Sequence, residues 1–399
     1  MQHNLNSNNN NLLYIHAGAE LYGADRILLE LVNGMNEHNW KPLVILPNEG
    51  PLVAEFEKLG IEVQVLPFPV LRRKYFTVPG IYSYFSQLIV YIKKIKQIIK
   101  AKNINLIHSN TLAVLPGLFA AKQAKIPHVW HVHEIIIKPA FLNKLLGNLA
   151  SLYSDKIVTV SEAVKKHFAN GQPKLSAKTD VIYNGIDTNK FSPSEQQNIG
   201  QTKLGLDSNI KIFGMIGRIN RWKGQLFLLE ATEEVLNQVE DSHCLFVGGV
   251  FENETFYKEK LLEEIKLKGL EKRVTVLDFQ PDPENVHRYF DVFILPSIEP
   301  DPLPTVVLEA MATGVPVIAN GHGGAVEMVK NEETGFLIKV NDKEDLANKI
   351  TYLLRNPMEV KRMGDNGRKR AVQYFSKRRF FEEFSQLYRT IIKREDNII

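Results

Sequence analysis

Cysteine is nearly absent from this chain, because Cys244 is the only one among 399 residues. A single cysteine excludes an internal disulfide framework and a cysteine-based zinc site, and it is typical of a reducing compartment. Long apolar runs are also missing, since none reaches the ~20 residues that a membrane-spanning helix needs. The first residues, MQHNLNSNNN, are polar and predict a disordered tail over 1–10 rather than a signal peptide. We therefore expect a cytoplasmic protein that is at most peripheral to a membrane.

Two common nucleotide-binding signatures are missing as well. Neither half of the chain carries G-x-G-x-x-G after its first predicted strand, and no G-x-x-x-x-G-K-[ST] loop occurs. These absences disfavour dehydrogenases and P-loop enzymes. His131 and His133 alternate onto one face of a predicted strand, but without the H-E-x-x-H spacing or a third metal ligand. We expect a hydrogen-bonding or structural role for these histidines, and no metal or other cofactor.

The net charge of +4 is unevenly distributed. Residues 70–102 contain eight basic residues and no acid, so the rest of the chain sums to −4. The same segment carries aromatic residues, among them Tyr75, Phe76, Tyr82 and Phe85. Cations among aromatics suit an anionic membrane surface, where each cation contributes ~1 kcal/mol. A solvated helix face is the alternative, and we expect no nucleic-acid partner.

Short apolar runs alternate with helical patterns along both halves of the chain. With 44 % apolar residues, a chain of this length supports two or three domains. The predicted strands are 12–16, 42–47, 61–66, 104–109, 128–132, 156–160 and 180–183, then, after a polar segment over 192–205, 211–217, 243–249, 273–279, 291–296 and 315–319. The alternation predicts an α/β protein with two doubly wound parallel sheets, whose ligands lie beyond the carboxyl ends of the strands.

A basic loop follows the first predicted strand of the second half. It reads GRINRWKG over 217–224 and opens a helix. Arg218 offers a planar fork for phosphate oxygens and Lys223 a point charge, and both lie near a helix N-terminus. The loop therefore favours a multiply charged anion, although solvated loop cations are the alternative.

A second loop, PDPLPTVVLEA over 300–310, also runs from a strand into a helix. Pro304 fits the first helical turn without removing a needed donor, so we expect the amides from Leu303 to Val306 to face an anion. Glu309 lies about one turn into an apolar helix, where an unpaired carboxylate is unfavourable. A pair of sugar or ribose hydroxyls would satisfy this carboxylate, and interaction with the helix dipole is the alternative. A glycine-rich loop over 322–324 is expected to let the backbone approach a ligand.

The order and spacing of these motifs resemble those of the retaining GT-B glycosyltransferases of the group-1 type (glycosyltransferase family 4). The resemblance covers residues 12–387 and is strongest over 273–340. Besides the basic loop and the second loop, the motifs are GADR at 23–26, HE at 133–134, VTVSEAVKKHF at 158–168 and YNGID at 183–187. Each motif alone is weak, but their order and spacing together are specific.

The family signature is a pair of acids separated by seven residues. Glu309 occupies the second position. The first position holds Asp301 where the family usually has Glu, and Glu299 stands two residues earlier. Because an aspartate reaches about one methylene less far, either Asp301 or Glu299 is a candidate for the first acidic role.

The resemblance implies two Rossmann-like domains that face each other across a cleft. The expected divisions are an acceptor-side domain over 11–190, a nucleotide-sugar domain over 206–375, and a C-terminal helix over 376–399 that crosses back to the first domain. On the diphosphate side, the resemblance implies that Arg218 and Lys223 bind the leaving group. The backbone around Leu303, Pro304 and Thr305 would assist them.

On the sugar side, the resemblance implies that Glu309 holds the ribose and that Asp301 or Glu299 holds the transferred sugar. His133 would contact that sugar from the first domain, and Gly23 would let the first loop approach the donor or the acceptor. The residues expected to take part in catalysis are therefore Asp301, His133, Arg218 and Lys223.

The implied activity is retaining, metal-independent transfer of a sugar from a UDP- or GDP-type donor. The implied acceptor is a saccharide or a lipid-linked saccharide, as in the biosynthesis of surface polysaccharide or lipopolysaccharide. Two alternatives remain open. The first is a nucleotide-sugar epimerase of similar architecture, and the second is a degenerate nucleotide-binding scaffold, which the aspartate at position 301 motivates.

Overall fold

A computed structural model describes residues 10–136, 139–194, 198–250 and 255–396 of the chain. Apart from Asn10, the tail predicted over 1–10 lies outside the described residues. The chain forms two compact units, of which one comprises Met1–Gly185 with Lys377–Ile399 and the other comprises Ile186–Ser376.

The first unit contains a parallel sheet of seven strands in the order β3-β2-β1-β4-β5-β6-β7. Apolar runs such as Leu12–Ile15 are fully buried because helices cover both faces of the sheet. Its strands are β1 Asn11–His16, β2 Lys41–Leu46, β3 Glu62–Val65, β4 Leu106–Asn110, β5 His128–Val132, β6 Lys156–Thr159 and β7 Thr179–Val181. Its helices up to β7 are α1 Gly23–Glu37, α2 Pro51–Lys58, α3 Val78–Ala101, α4 Leu115–Ala124, α5 Ala140–Tyr153, α6 Glu162–Phe168 and α7 Pro173–Lys178.

The second unit repeats the architecture with six parallel strands in the order β10-β9-β8-β11-β12-β13. The strands are β8 Lys211–Ile216, β9 Ser242–Val247, β10 Val274–Leu277, β11 Val292–Leu295, β12 Val317–Asn320 and β13 Gly335–Ile338. The helices are α8 Ile199–Leu204, α9 Gln225–Gln238, α10 Phe256–Leu267, α11 Pro283–His287, α12 Thr305–Ala312, α13 Ala325–Met328, α14 Lys343–Arg355 and α15 Pro357–Tyr374.

The last helix, α16 Lys377–Asp396, belongs to the first unit. Its side chains Phe380, Phe384 and Tyr388 are fully buried in the core that contains β1 and α1. Trp40 Nε1 donates a hydrogen bond to Ser385 Oγ at 3.0 Å. The final helix is therefore an integral part of the first unit's core.

The predicted α/β class with two doubly wound parallel sheets is confirmed, and each of the twelve predicted strands has a counterpart. The prediction missed β13, whose apolar residues Phe336 to Ile338 follow a glycine that is also common in loops. Among the described residues, no helix combines the length and the apolar character needed to cross a bilayer.

Candidate functional site

The strand order of the second unit brings two of the predicted loops together. The sheet winds in opposite directions from β8, so β8 and β11 are neighbours although they are far apart in sequence. In open α/β sheets, ligands bind beyond the carboxyl ends of the strands at such a switch point. The loop after β8 carries the basic residues. The loop after β11 carries Asp301 and leads into α12, which carries Glu309.

Close backbone contacts fix the loop after β8. Ile219 N donates to Gly249 O at 2.9 Å, and Asn220 Oδ1 accepts from Lys223 N at 3.0 Å across a single 3-10 turn. Gly224 has φ +81°, and a Cβ atom there would lie 2.1 Å from Pro296 O. Only glycine fits this position, and the tight approach brings Lys223 against the loop after β11.

Lys223 and Asp301 form a largely buried ion pair. Lys223 Nζ lies 2.7 Å from Asp301 Oδ2, and the two side chains are 15 % and 9 % exposed. Ser297 Oγ donates to the same oxygen at 3.0 Å. Lys223 Nζ also lies 4.3 Å from the centre of the Trp222 ring. A cation and a carboxylate with so little exposure must pair, because either charge alone would be strongly disfavoured.

Glu299, the other candidate for the first acidic role, has different surroundings. Its carboxylate pairs with Arg221, and the two side chains are 40 % and 59 % exposed. The structure thus brings Asp301, rather than Glu299, to Lys223. Arg218 lies half-buried in the same loop as Lys223, and its carbonyl oxygen accepts from Gln225 Nε2 at 2.9 Å.

The start of α12 lies directly after Asp301. Pro304 precedes the first helical residue, Thr305, and Leu303 is buried. The glycine-rich loop expected to approach a ligand instead packs against this segment. A Cβ atom on Gly324 would lie 2.3 Å from Pro302 O. Its glycines are needed because the protein's own backbone occupies the space.

Glu309 has a protein partner that the sequence did not reveal. His287 Nε2 lies 3.0 Å from Glu309 Oε2, and the His287 side chain is fully buried. His287 therefore contacts one oxygen of a carboxylate for which the sequence indicated only ligand hydroxyls or the helix dipole. His287 comes from α11, which matches none of the motifs used in the sequence reading, and no sequence signal marks it.

The first unit places a second polar cluster at its own switch point, between β1 and β4. Asp25 Oδ1 lies 2.6 Å from His16 Nε2, and His16 Nδ1 lies 2.9 Å from Asn110 Nδ2. Asn110 Oδ1 lies 2.8 Å from His133 Nε2. Burial lowers the pKa of His133 to about 3, so its ring is neutral near pH 7. A Cβ atom on Gly23, at the start of α1, would meet no atom within 4 Å.

Glu134 holds the segment after β5 in place. Its carboxylate accepts from Leu112 N at 3.1 Å and from His133 N at 3.0 Å. Burial raises the pKa of this carboxyl group, while the two amide donors oppose the shift. The acid that follows His133 therefore contacts the protein backbone and fixes the position of the histidine.

Comparison with known proteins now identifies the family. Residues 197–370 match the family described as glycosyl transferases group 1, and residues 22–190 match glycosyltransferase family 4. The chain belongs to the group 1 glycosyltransferases. Both halves contribute to this assignment, as the sequence resemblance predicted.

Relatives of this glycosyltransferase include a galactosyltransferase and an enzyme of capsular polysaccharide biosynthesis. The UDP-Gal:alpha-D-GlcNAc-diphosphoundecaprenol alpha-1,3-galactosyltransferase of Escherichia coli is 26% identical over 90% of this chain and 95% of its own length. The capsular polysaccharide biosynthesis glycosyltransferase CapM of Staphylococcus aureus is 27% identical over 64% of this chain and 67% of its own length.

Solved structures confirm the GT-B fold of this glycosyltransferase. Anabaena Alr3699/HepE in complex with UDP superposes with a TM-score of 0.82 at 26% identity, covering 95% of this chain and 100% of that chain. The same protein has been solved with UDP-glucose, with a TM-score of 0.80. In the described parts of the glycosyltransferase, no group of three or more histidine, cysteine, aspartate or glutamate side chains is arranged to hold a metal ion.

Proposed function

We propose that this glycosyltransferase moves a sugar from a UDP- or GDP-type donor to a saccharide or lipid-linked saccharide acceptor, with retention of the anomeric configuration. The observation that carries the proposal is the ion pair of Lys223 and Asp301 at the switch point of the second unit, with side chains only 15% and 9% exposed. Similarity to a galactosyltransferase that uses UDP-Gal and to a structure that binds UDP-glucose supports a nucleotide-sugar donor.

The proposed chemistry follows from charge. When the bond between the anomeric carbon and the phosphate oxygen breaks, the bonding electrons leave with the diphosphate and positive charge develops on the sugar ring. Arg218, Lys223 and the N-terminus of α12 would stabilise the diphosphate more as this charge forms. The acceptor oxygen then bonds to the same face of the anomeric carbon, and its proton passes to the departing phosphate oxygen. No metal ion is needed in this scheme, because the protein supplies the positive charge.

The sugar-side assignments are part of the same proposal. Asp301 would bind hydroxyl groups of the transferred sugar while it pairs with Lys223. Glu299 would bind the donor at the exposed edge of the site. Glu309, oriented by His287, would bind the ribose. In the first unit, His133 would contact the transferred sugar, and Gly23 would let its loop approach the donor or the acceptor.

Three measurements test this function. A panel of nucleotide sugars is screened for thermal stabilisation, and the best donor is then incubated with saccharide acceptors in the presence of EDTA. We expect transfer in EDTA, a product with the donor's anomeric configuration by NMR, and a decrease in kcat of about 100-fold or more for Lys223→Ala. Inverted product or a strict metal requirement would refute the mechanism.

The same assay separates the alternatives. If the enzyme converts the donor alone into a new nucleotide sugar, it is an epimerase. If it binds a nucleotide but neither transfers the sugar nor converts the donor, it is a degenerate nucleotide-binding scaffold. Slow hydrolysis of the donor in the absence of acceptor agrees with a transferase.

We further propose that the enzyme works at the cytoplasmic face of an anionic membrane, through an exposed stripe on α3. Val78, Ile81, Tyr82, Phe85 and Ile89 recur at helical spacing, and their exposures range from 46% to 84%. The opposite face of α3 is buried, so this helix is apolar on both sides over its first three turns. Such a stripe suits an interfacial helix that lies in the headgroup region.

The charges around the stripe match an anionic bilayer. Arg73 and Lys74 are exposed just before α3, and Lys93 and Lys94 are exposed one turn beyond Ile89. No acidic residue occurs in this region. An acidic protein surface would match the cations but not the apolar stripe between them, whereas an anionic bilayer matches both. A lipid-linked acceptor would reach an enzyme that docks in this way.

Vesicle binding tests the membrane proposal. Affinity for vesicles made of equal parts of phosphatidylglycerol and phosphatidylcholine is measured by co-sedimentation. It should fall at least tenfold for Arg73→Glu with Lys74→Glu, since each cation contributes ~1 kcal/mol. Tyr82→Ser with Phe85→Ser should also weaken binding. Leu262→Ser with Leu267→Ser, on the exposed face of α10, is the matched control. Unchanged binding of both α3 variants would refute the proposal.

A further inference from the structure

Asp25, His16, Asn110 and His133 form a continuous hydrogen-bonded chain across the first unit's switch point. His16 ends β1 and Asn110 ends β4, and the two residues are paired in the strand register. Asp25 lies in the first turn of α1, and His133 follows β5. The carboxyl ends of three neighbouring strands thus contribute one residue each, at the position where open α/β sheets bind ligands.

The direction of each hydrogen bond follows from Asp25. Its Oδ2 accepts from Tyr22 N at 2.8 Å, and its Oδ1 faces His16 Nε2. An ionised carboxylate only accepts hydrogen bonds, so His16 must carry a proton on Nε2. An amide nitrogen only donates, and Asn110 Nδ2 lies 2.9 Å from His16 Nδ1, so Nδ1 of His16 carries the accepting lone pair.

The amide of Asn110 transmits this polarity to His133. Because Nδ2 of Asn110 faces His16, Oδ1 faces His133 Nε2, at 2.8 Å. An amide oxygen only accepts, so His133 must donate from Nε2. Desolvation keeps the pKa of His133 low, and the neutral ring therefore has its lone pair on Nδ1. In the described parts of the chain, Nδ1 of His133 has no hydrogen-bond partner.

We propose that Asp25, acting through His16 and Asn110, holds His133 in the tautomer that presents Nδ1 as an acceptor for a hydroxyl group of the bound sugar. The proposal rests on the proposed function and deepens it, because it states which hydrogen-bonding partner the first unit offers. Asp25, His16 and Asn110 are positioning residues in this scheme. A ligand group that donates a hydrogen bond is recognised, and one that only accepts is rejected.

A single substitution should reverse the donor and acceptor roles along this series of hydrogen bonds. In Asp25→Asn the carboxamide oxygen must still accept from Tyr22 N, so its nitrogen faces His16 Nε2. His16 then carries its proton on Nδ1. The side-chain amide of Asn110 flips, so that its oxygen accepts from His16 Nδ1 and its nitrogen faces His133 Nε2. The proton of His133 consequently moves to Nδ1, and the acceptor becomes a donor.

Nitrogen-15 NMR of protein labelled at histidine tests the proposal in the ligand-free enzyme. In the wild type we expect His133, assigned through His133→Gln, to be protonated on Nε2 and not on Nδ1. In Asp25→Asn we expect the opposite pattern. Asp155→Asn is the matched control, because Asp155 accepts from His128 N at the amino end of β5 and should leave His133 unchanged. A wild-type His133 protonated on Nδ1, or an Asp25→Asn variant with the wild-type pattern, would overturn the proposal.

Kinetics supply the second readout. With the best donor of the panel, Asp25→Asn should lower kcat/KM by about 10- to 100-fold, since a ligand hydroxyl would meet a donor instead of an acceptor. A reversed tautomer with unchanged kcat/KM would also overturn the proposal. Because the wild-type spectrum needs no substrate, it tests the tautomer even if the proposed transfer activity fails.

Discussion

At the scale of single residues, two nearby acids of one loop have opposite surroundings. Asp301 is buried and accepts from Lys223 and Ser297, whereas Glu299 is exposed and pairs with Arg221. The difference matters because a buried ion pair that loses one partner leaves an uncompensated charge. An exposed pair contributes little, since water screens both charges.

Unfolding of variants in the second unit should reveal this difference. Lys223→Ala is expected to reduce the free energy of unfolding by about 3 kcal/mol, because it leaves the Asp301 carboxylate buried without a cation. Adding Asp301→Asn in the same chain should recover most of that loss. Arg221→Ala, the control, should change stability by less than about 1 kcal/mol. Urea titrations measure all three, and an equal effect of Lys223→Ala and Arg221→Ala would contradict the account.

The sequence predicted part of this site and missed part. Lys223 and Asp301 lie in loops, and Glu309 lies in the helix that follows the second loop; the residue types and positions indicate anion and sugar chemistry. His287 and Ser297 were not predicted, because they act only through the tertiary contact that brings them to an acid. The choice between Asp301 and Glu299 was also beyond the sequence, since the path of the loop decides which acid faces Lys223.

At the scale of secondary-structure elements, α16 packs on α1 through a position without a side chain. A Cβ atom on Gly34 would lie 2.5 Å from ring atoms of Phe381. Phe381 is 5% exposed, so that its ring has little room to move. Glycine inside a helix is unfavourable, and this close contact explains why one stands here.

Gly34→Ala tests how closely the two helices pack. We expect a loss of about 1–3 kcal/mol from overpacking, although alanine is the better helix former. Phe381→Leu in the same chain should restore part of the loss, and the double-mutant cycle should show coupling. Asn36→Ala, at an exposed position of α1, is the control. Stabilisation by Gly34→Ala would show that the helices do not pack this closely.

Helices and strands were predictable where apolar runs and helical patterns alternate clearly along the sequence. Strands such as β1 and β5 appear as short apolar runs between helical patterns, and the order of the runs gives a doubly wound sheet. The strand β13 was missed because its apolar residues, Phe336 to Ile338, follow a glycine that is also common in loops. The contact of Gly324 with the backbone at Pro302 was not predictable, because a glycine that contacts the protein's own backbone looks the same in sequence as one that contacts a ligand.

At the scale of the whole molecule, buried imidazoles couple the stability of the first unit to pH. Burial lowers the pKa of His128 and of His133 to about 3, and it also lowers the pKa of His108 and His131 well below the usual range. In the unfolded chain these groups bind protons near pH 6.5. The unfolded state therefore binds more protons than the folded state between about pH 3 and pH 6.5, and stability rises with pH across that window.

Denaturation at several pH values tests whether the free energy of unfolding rises with pH. We expect the free energy of unfolding of the first unit to fall by about 1 kcal/mol per buried histidine between pH 7.5 and pH 5.5. His128→Gln should reduce this pH dependence, because glutamine can still accept and donate between Ser109 and Ser154. Stability that is constant or greater at pH 5.5 would contradict the burial of neutral imidazoles.

The central claim is that Lys223 binds the diphosphate of the donor. Calorimetric titration of UDP and GDP in EDTA tests it most directly, with Asp301→Asn compared to the double variant Lys223→Ala, Asp301→Asn so that the buried acid is neutral in both. We predict that the wild-type enzyme binds at least one of the two nucleotides and that the double variant binds it about 10- to 100-fold more weakly than Asp301→Asn does. Equal affinity of the two variants, or no binding of either nucleotide to the wild type, would contradict the account.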